Sequence, residues 1–284
     1  MAHATTIMTN PSRISRRFAD LRSCGEMGLV AYLTAGDPSL DATERFVLAL
    51  ADAGADVIEL GVPFSDPVAD GPVIQRASER ALRSGTTLAG VLSLVKSVRA
   101  KSDVPLVLFS YYNPVLQMGL EKFGNAAKTA GADGVLITDL TPEEGVEYRA
   151  VMSSRGLDTI FLAAPTSTDE RLALIAKSSN GFLYLISRTG VTGAKDQLAE
   201  ELPSLARRVR RVTDLPIAIG FGISQPGHVA VLGGLADAAV VGSALVEEIE
   251  RAATVEAAAE ALAARVKSLK GAAVAGMSRR EPSA

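Results

Sequence analysis

Residues Glu59 to Gln75 read ELGVPFSDPVADGPVIQ. The β-branched pair Val57-Ile58 leads into a carboxylate at Glu59, and a loop dense in Gly, Pro and Asp follows at once. Pro63, Pro67 and Pro72 stiffen that loop. Proline fixes φ and removes a backbone donor, so the segment is shaped but is no central strand. Asp70 is its second acid. A carboxylate at a strand end, followed by a rigid connection, suits the placing of an acid in a pocket. The blander reading is a solvated acidic turn.

The same unit of apolar run and following segment recurs along the chain. Candidate strands are Gly28–Leu33, Asp56–Leu60, Val104–Phe109, Gly134–Ile137, Asp158–Leu162, Phe182–Ile186, Ile217–Ile219 and Ala238–Val241. Between them apolar residues fall at spacings of three and four, as at Phe46, Leu50 and Ala53 and at Leu88, Leu92 and Val95. Near-continuous apolar strands separated by helices imply a parallel sheet covered on both faces. Eight units in 284 residues predict one closed (β/α)8 barrel spanning residues 1–284 as a single domain. An amphipathic helix over Ser12–Ser23, with Ile14, Phe18 and Leu21 on one face, stands outside the eight units and is expected to cap the barrel bottom. A closing helix is expected over Val255–Leu269, with residues 1–11 and 272–284 as loose tails. The phrases Ala53-Gly54-Ala55-Asp56, Ala130-Gly131-Ala132-Asp133 and Gly234-Leu235-Ala236-Asp237 place Gly where a helix end favours positive φ, just ahead of a strand.

Composition removes several functions. Net charge is −3, and the basic run Arg207-Arg208-Val209-Arg210-Arg211 falls on the outer face of a helix, so nothing recommends nucleic acid. The single cysteine, Cys24, excludes an internal disulfide and a cysteine-based zinc site, and its place after a helix suits a passive thiol. The sequence has neither the apolar core of a signal peptide nor the length of a membrane span, and a cytoplasmic protein is expected.

Barrel chemistry sits at the strand C-termini, and phosphate often binds the loops after the last two strands. Here these are Gly220-Phe221-Gly222-Ile223-Ser224 and Val241-Gly242-Ser243-Ala244, with Thr189-Gly190-Val191-Thr192-Gly193 beside them. Glycines let backbone N–H groups approach an anion, and a helix after Gly242 would aim its positive end at it. Any one of these loops alone would be ordinary turn chemistry. The only histidines are His3 and His228, so a Ser-His-Asp triad and a multi-histidine metal site lack parts. None of the eight lysines lies in a candidate strand or at its C-terminal end, which disfavours a Schiff base. What remains for acid–base work is Glu59, Asp70 and Asp139, acting on a phosphorylated substrate without a metal.

Together these segments resemble the tryptophan synthase α subunit family. The likeness is carried by Tyr32-Leu33-Thr34-Ala35-Gly36-Asp37-Pro38, by Glu59–Gln75, by Ser110-Tyr111-Tyr112-Asn113-Pro114, and by Ile137-Thr138-Asp139-Leu140. It continues through Ala164-Pro165-Thr166, the run from Gly181 to Gly193, and the two glycine loops that follow, so that residues of about 14 to 270 are covered in order. The resemblance implies a lyase that cleaves indole-3-glycerol phosphate to indole and glyceraldehyde 3-phosphate. It implies no cofactor in this chain, and a pyridoxal-phosphate-bearing β subunit as partner in an allosteric α2β2 heterotetramer. It assigns acid–base catalysis to Glu59 and stabilisation of the indole nitrogen to Asp70. Tyr32 would line the indole pocket, Tyr184 would tune Glu59, and Thr192 would pair with Asp70 to close a loop. Gly193, Gly222, Gly242 and Ser243 would hold the phosphate, and Pro63, Asp66, Asn113 and Pro114 would face the partner. The chain departs from the family in having Thr141 after Asp139-Leu140, where Pro is usual. The competing expectations are another phosphosugar barrel enzyme and a weakly catalytic activator of a partner subunit.

Overall fold

A computed structural model describes residues 11–186, 195–220 and 222–277, with the side chains of 195–201 and 275–277 outside the description. Nine parallel strands run β1 (Gly28–Thr34), β2 (Val57–Gly61), β3 (Leu106–Ser110), β4 (Gly134–Ile137), β5 (Asp158–Ile160), β6 (Leu162–Ala163), β7 (Leu183–Ile186), β8 (Ile217–Gly220) and β9 (Ala238–Val241). Their order is β5-β4-β3-β2-β1-β9-β8-β7-β6. The two ends of that order, β5 and β6, are consecutive in the chain and divided only by Phe161. The sheet therefore closes through a fifth barrel strand cut in two. The break marks a change of partner: β5 pairs with β4 and β6 with β7. The barrel thus has the eight strands expected. β3 begins two residues later than Val104, after Pro105, which has no N–H to give a ladder although its carbonyl accepts from Ile58 N–H at 2.9 Å.

Alternation along the strands builds two cores. Leu29, Leu33, Ile58, Leu60, Leu108 and Val135 point outward into the layer between sheet and helices. Val30, Val57, Val107, Leu136, Ile160, Phe182, Ala218 and Val240 point inward and fill the barrel. Into that inner core the helix Arg13–Cys24 inserts Ile14, Phe18 and Leu21, the three residues singled out by their spacing. A side chain at Gly28 would strike Leu21 at 2.9 Å and one at Gly134 would meet Ile14 at 3.1 Å, so small strand residues make room for the plug.

The phrases that run from Gly to Asp ahead of a strand do more than end helices. Asp56 accepts from Leu29 N–H (2.6 Å), Asp133 from Leu106 N–H (2.9 Å) and Asp237 from Ile217 N–H (2.7 Å). Each aspartate satisfies a buried N–H at the start of a neighbouring strand. The plug helix binds two of these acids, with Arg17 on Asp56 and Arg13 on Asp133 at 3.0 Å. The closing helix runs over Val255–Met277, beyond the expected Leu269, because buried Leu269 and Ala273 pack on the outer core across Gly271.

Candidate active site

The open end of the barrel carries the acids. Glu59 lies on β2, in register with Tyr32 on β1, and is fully buried. Neither of its carboxyl oxygens has a hydrogen-bond partner among the described residues. A buried carboxylate without a partner is costly, so burial alone pushes Glu59 up to about 8. Two phenols border it. Tyr184 on β7 is raised well above its usual value, by desolvation first and then by the charge of Glu59. Tyr32 is raised in the same way, by burial first and then by the charges of Asp70 and Glu59. Both carboxyls thus act on one phenol from the mouth of one barrel.

Room for these rings comes from strand-end glycines. A Cβ at Gly61 would stand 2.1 Å from the Tyr32 hydroxyl, and one at Gly220 would stand 2.9 Å from that of Tyr184. Tyr32 also packs edge-on against Phe109, with ring centroids 5.2 Å apart, leaving an aromatic wall suited to a flat apolar ligand.

Asp70 ends the acidic loop, just before the helix Pro72–Arg83 whose N-cap is Gly71. The loop is held by its own bonds: Asp70 N–H donates to Pro67 O at 3.0 Å and Gln75 Nε2 donates to Asp70 O at 2.9 Å. Desolvation pushes Asp70 up to about 6, against a hydrogen bond from Tyr111 that lowers it. The Tyr111 hydroxyl also accepts from Ala69 N–H at 2.9 Å, and its ring lies 5.1 Å from that of Phe64. Tyr111 is therefore a partner of the second acid, although in the sequence it stood only within a segment that carries the family likeness. The signal for it was its position one residue past β3, at the chemical end of the barrel. Asp139, the third acid, is exposed and accepts from Tyr112 N–H at 2.7 Å, which spends it on the loop after β3.

The glycine loops after β8 and β9 stand side by side because those strands pair. Gly222 adopts φ +58°, a left-handed conformation that favours glycine, and among the described residues nothing lies within 4 Å of where its side chain would be. Gly242 is the N-cap of the helix Ser243–Arg251 and offers no side-chain cap, and Ser243 is exposed at the first helical position. Of the first-turn N–H groups, that of Leu245 donates to Gly242 O at 2.8 Å, while those of Ser243 and Ala244 precede any intrahelical acceptor, the usual condition for anion binding. Gly220 and Gly222 looked alike in sequence, yet the first seats a tyrosine and the second has no described residue against it. Thr192 and Gly193 lie outside the described residues. Of the residues expected to face a partner, Asp66 and Asn113 are exposed, Pro114 is half-buried and Pro63 is buried within the chain. Among the described residues no group of three or more His, Cys, Asp or Glu could hold a metal ion.

The model of the family described as "Tryptophan synthase alpha chain" matches residues 18–274. The tryptophan synthase alpha chain of Solibacter usitatus is 56% identical over 240 residues, covering 84% of this chain and 90% of that one. That of Geobacter sp. strain M21 is 51% identical over the same coverage. Among solved structures, Mycobacterium tuberculosis tryptophan synthase superposes with a TM-score of 0.85 at 36% identity, covering 93% of this chain and 99% of that chain. The tryptophan synthase complex of Pyrococcus furiosus superposes at 0.77 with 42% identity, covering 87% and 98%.

Proposed function

The chain belongs to the tryptophan synthase alpha chain family, and from that premise we propose that Glu59 and Asp70 carry out the cleavage of indole-3-glycerol phosphate to indole and glyceraldehyde 3-phosphate. The observation that carries this reading is the pair of carboxyls at one barrel mouth pushed to different values, about 8 and about 6. Groups whose environments separate their pKa values divide into an acid and a base. At neutral pH Glu59 is mostly protonated and can give its proton to C3 of the indole ring. Asp70 is mostly ionised and opposes the positive charge that then forms on the ring nitrogen. The Glu59 carboxylate next takes the proton of the glycerol hydroxyl. The adjacent carbon–carbon bond breaks, its electrons return to the ring, and the hydroxyl carbon becomes the aldehyde. Glu59 is left protonated again. The indole ring stores the electrons that other aldolases place on a Schiff base or a metal.

Tyr32 and Phe109 suit the flat ring, and Tyr184 fixes the side of Glu59. The phosphate is read at Gly222, Gly242 and Ser243, with Gly193 and Thr192 supplied by the loop after β7. In this family pyridoxal phosphate belongs to the β subunit, with which the α subunit pairs. Asp66, Asn113 and Pro114 are read as facing it, and Pro63 as shaping that loop from within. We place the chain in the cytoplasm on the strength of its biosynthetic family; among the described residues no helix is long and apolar enough to cross a membrane.

The test is indole release from indole-3-glycerol phosphate by purified Glu59→Gln, alone and mixed with a β subunit. General acid–base catalysis is worth roughly 10²–10⁴-fold, and a group serving two steps should lie at the upper end. Turnover within a few-fold of the parent would move the chemistry elsewhere.

A further inference from the structure

The helix Ser243–Arg251, whose first turn faces the anion site, is anchored well below that turn. From the closing helix Arg265 reaches Glu248 with Nε at 3.1 Å and with Nη2, both on Oε1. Its Nη1 donates to the carbonyl of Ser224 at 3.1 Å. Ser224 lies two residues past Gly222, and its N–H donates to His228 Nδ1 at 3.4 Å. A single planar guanidinium therefore spans the loop that carries Gly222 and the helix that carries Gly242 and Ser243. A rigid fork sets both distance and angle, where a flexible ammonium sets neither. The side chains of Arg265 and Glu248 are 32% and 19% exposed, so the clamp is largely shielded. Among the described residues nothing packs within 4 Å of the Gly222 side-chain position, and the contacts that place this turn are those of its flanks.

We propose that Arg265 is a positioning residue for the phosphate site, holding the two glycine loops at the separation in which their N–H groups converge on one anion. It touches no substrate and acts through Ser224 O and Glu248. The proposal rests on the reading that the phosphate sits at Gly222, Gly242 and Ser243.

Calorimetric titration of the full chain with glycerol 3-phosphate, paired with kcat and KM for cleavage, tests it in five variants. Arg265→Met should weaken binding about tenfold or more, as loss of a charged hydrogen-bonded pair does, and should raise KM far more than it lowers kcat. Arg265→Lys, with a point charge for a fork, should fall between. Arg45→Gln is the control: Arg45 pairs with Glu256 at 2.8 Å on the same closing helix and touches neither loop, so its affinity should match the parent. If Arg265→Met does not fold, Glu248→Gln takes its place and should show the same KM-dominated loss. Parental affinity in whichever of these two folds, with binding lost in Gly242→Val, overturns the clamp and leaves the phosphate site standing. Parental affinity in Gly242→Val overturns the site itself. An equal loss in Arg45→Gln shows a general loosening of the closing helix and also overturns the clamp.

Discussion

Replacing Glu59 by Met should make the chain more stable as well as inactive, and the gain should grow with pH. Burial raises this carboxyl from 4.5 to about 8. Below pH 4.5 it is neutral whether the chain is folded or not, and it costs the fold nothing through ionisation. As pH rises from there, the unfolded chain releases the proton while the folded chain keeps it, and stability is lost until the pH passes about 8. Each pH unit in that window is worth about 1.4 kcal/mol. The loss is therefore on the order of 1 kcal/mol at pH 5 and on the order of 4 kcal/mol at pH 8. The carboxyl, unpartnered among the described residues, adds a further cost of about 1–3 kcal/mol at any pH. Methionine is unbranched and of similar length, so it fills the same space without a polar atom. Because the chain has no tryptophan, unfolding is best followed by far-UV circular dichroism in urea, with parent and Glu59→Met compared at pH 5 and pH 8. Taking the difference at each pH cancels every other titrating group. The gap between the two proteins should widen by on the order of 3 kcal/mol between these values. A gap that stays constant with pH, or a methionine variant less stable at pH 8, would refute the claim that Glu59 is held neutral by desolvation.

Four further outcomes are expected. The pH profile of kcat/KM should be bell-shaped between about 6 and about 8, the values of Asp70 and Glu59. In Tyr111→Phe the hydrogen bond that lowers Asp70 is gone, so the acidic limb should move to higher pH; an unmoved limb would detach Tyr111 from Asp70. Gly242→Val should fold normally, because among the described residues a Cβ there meets nothing closer than Tyr32 Cβ at 3.5 Å, while its bulk blocks anion approach and weakens binding of glycerol 3-phosphate. Normal affinity in that variant would place the phosphate elsewhere. Thr192→Val should lose most of the activation that a β subunit confers on indole release, while the isolated chain's slow rate changes less; full activation in the variant would sink the pairing of Thr192 with Asp70.

The alternation of short apolar runs with amphipathic segments was enough to place all eight barrel strands, two of them to the residue, and to single out the three residues of the plug helix. Periodicity and turn chemistry are local, so they survive in the linear chain. Glu59 was legible for the same reason, as an acid at a strand end followed by a proline-stiffened loop. Partners that lie far away in sequence were not legible. That Phe161 marks a change of strand partner depends on where the barrel closes. That Asp56, Asp133 and Asp237 serve the starts of neighbouring strands depends on which strand lies beside each. Gly220 and Gly222 are chemically identical, and only the tyrosine opposite the first separates their tasks. Arg265 is an unremarked residue of an alanine-rich helix until folding brings Ser224 and Glu248 to its two edges. The acidities follow the same division. Sequence named Glu59 and Asp70, but desolvation is a sum over every element that excludes water from them, and that sum exists only once the barrel has closed.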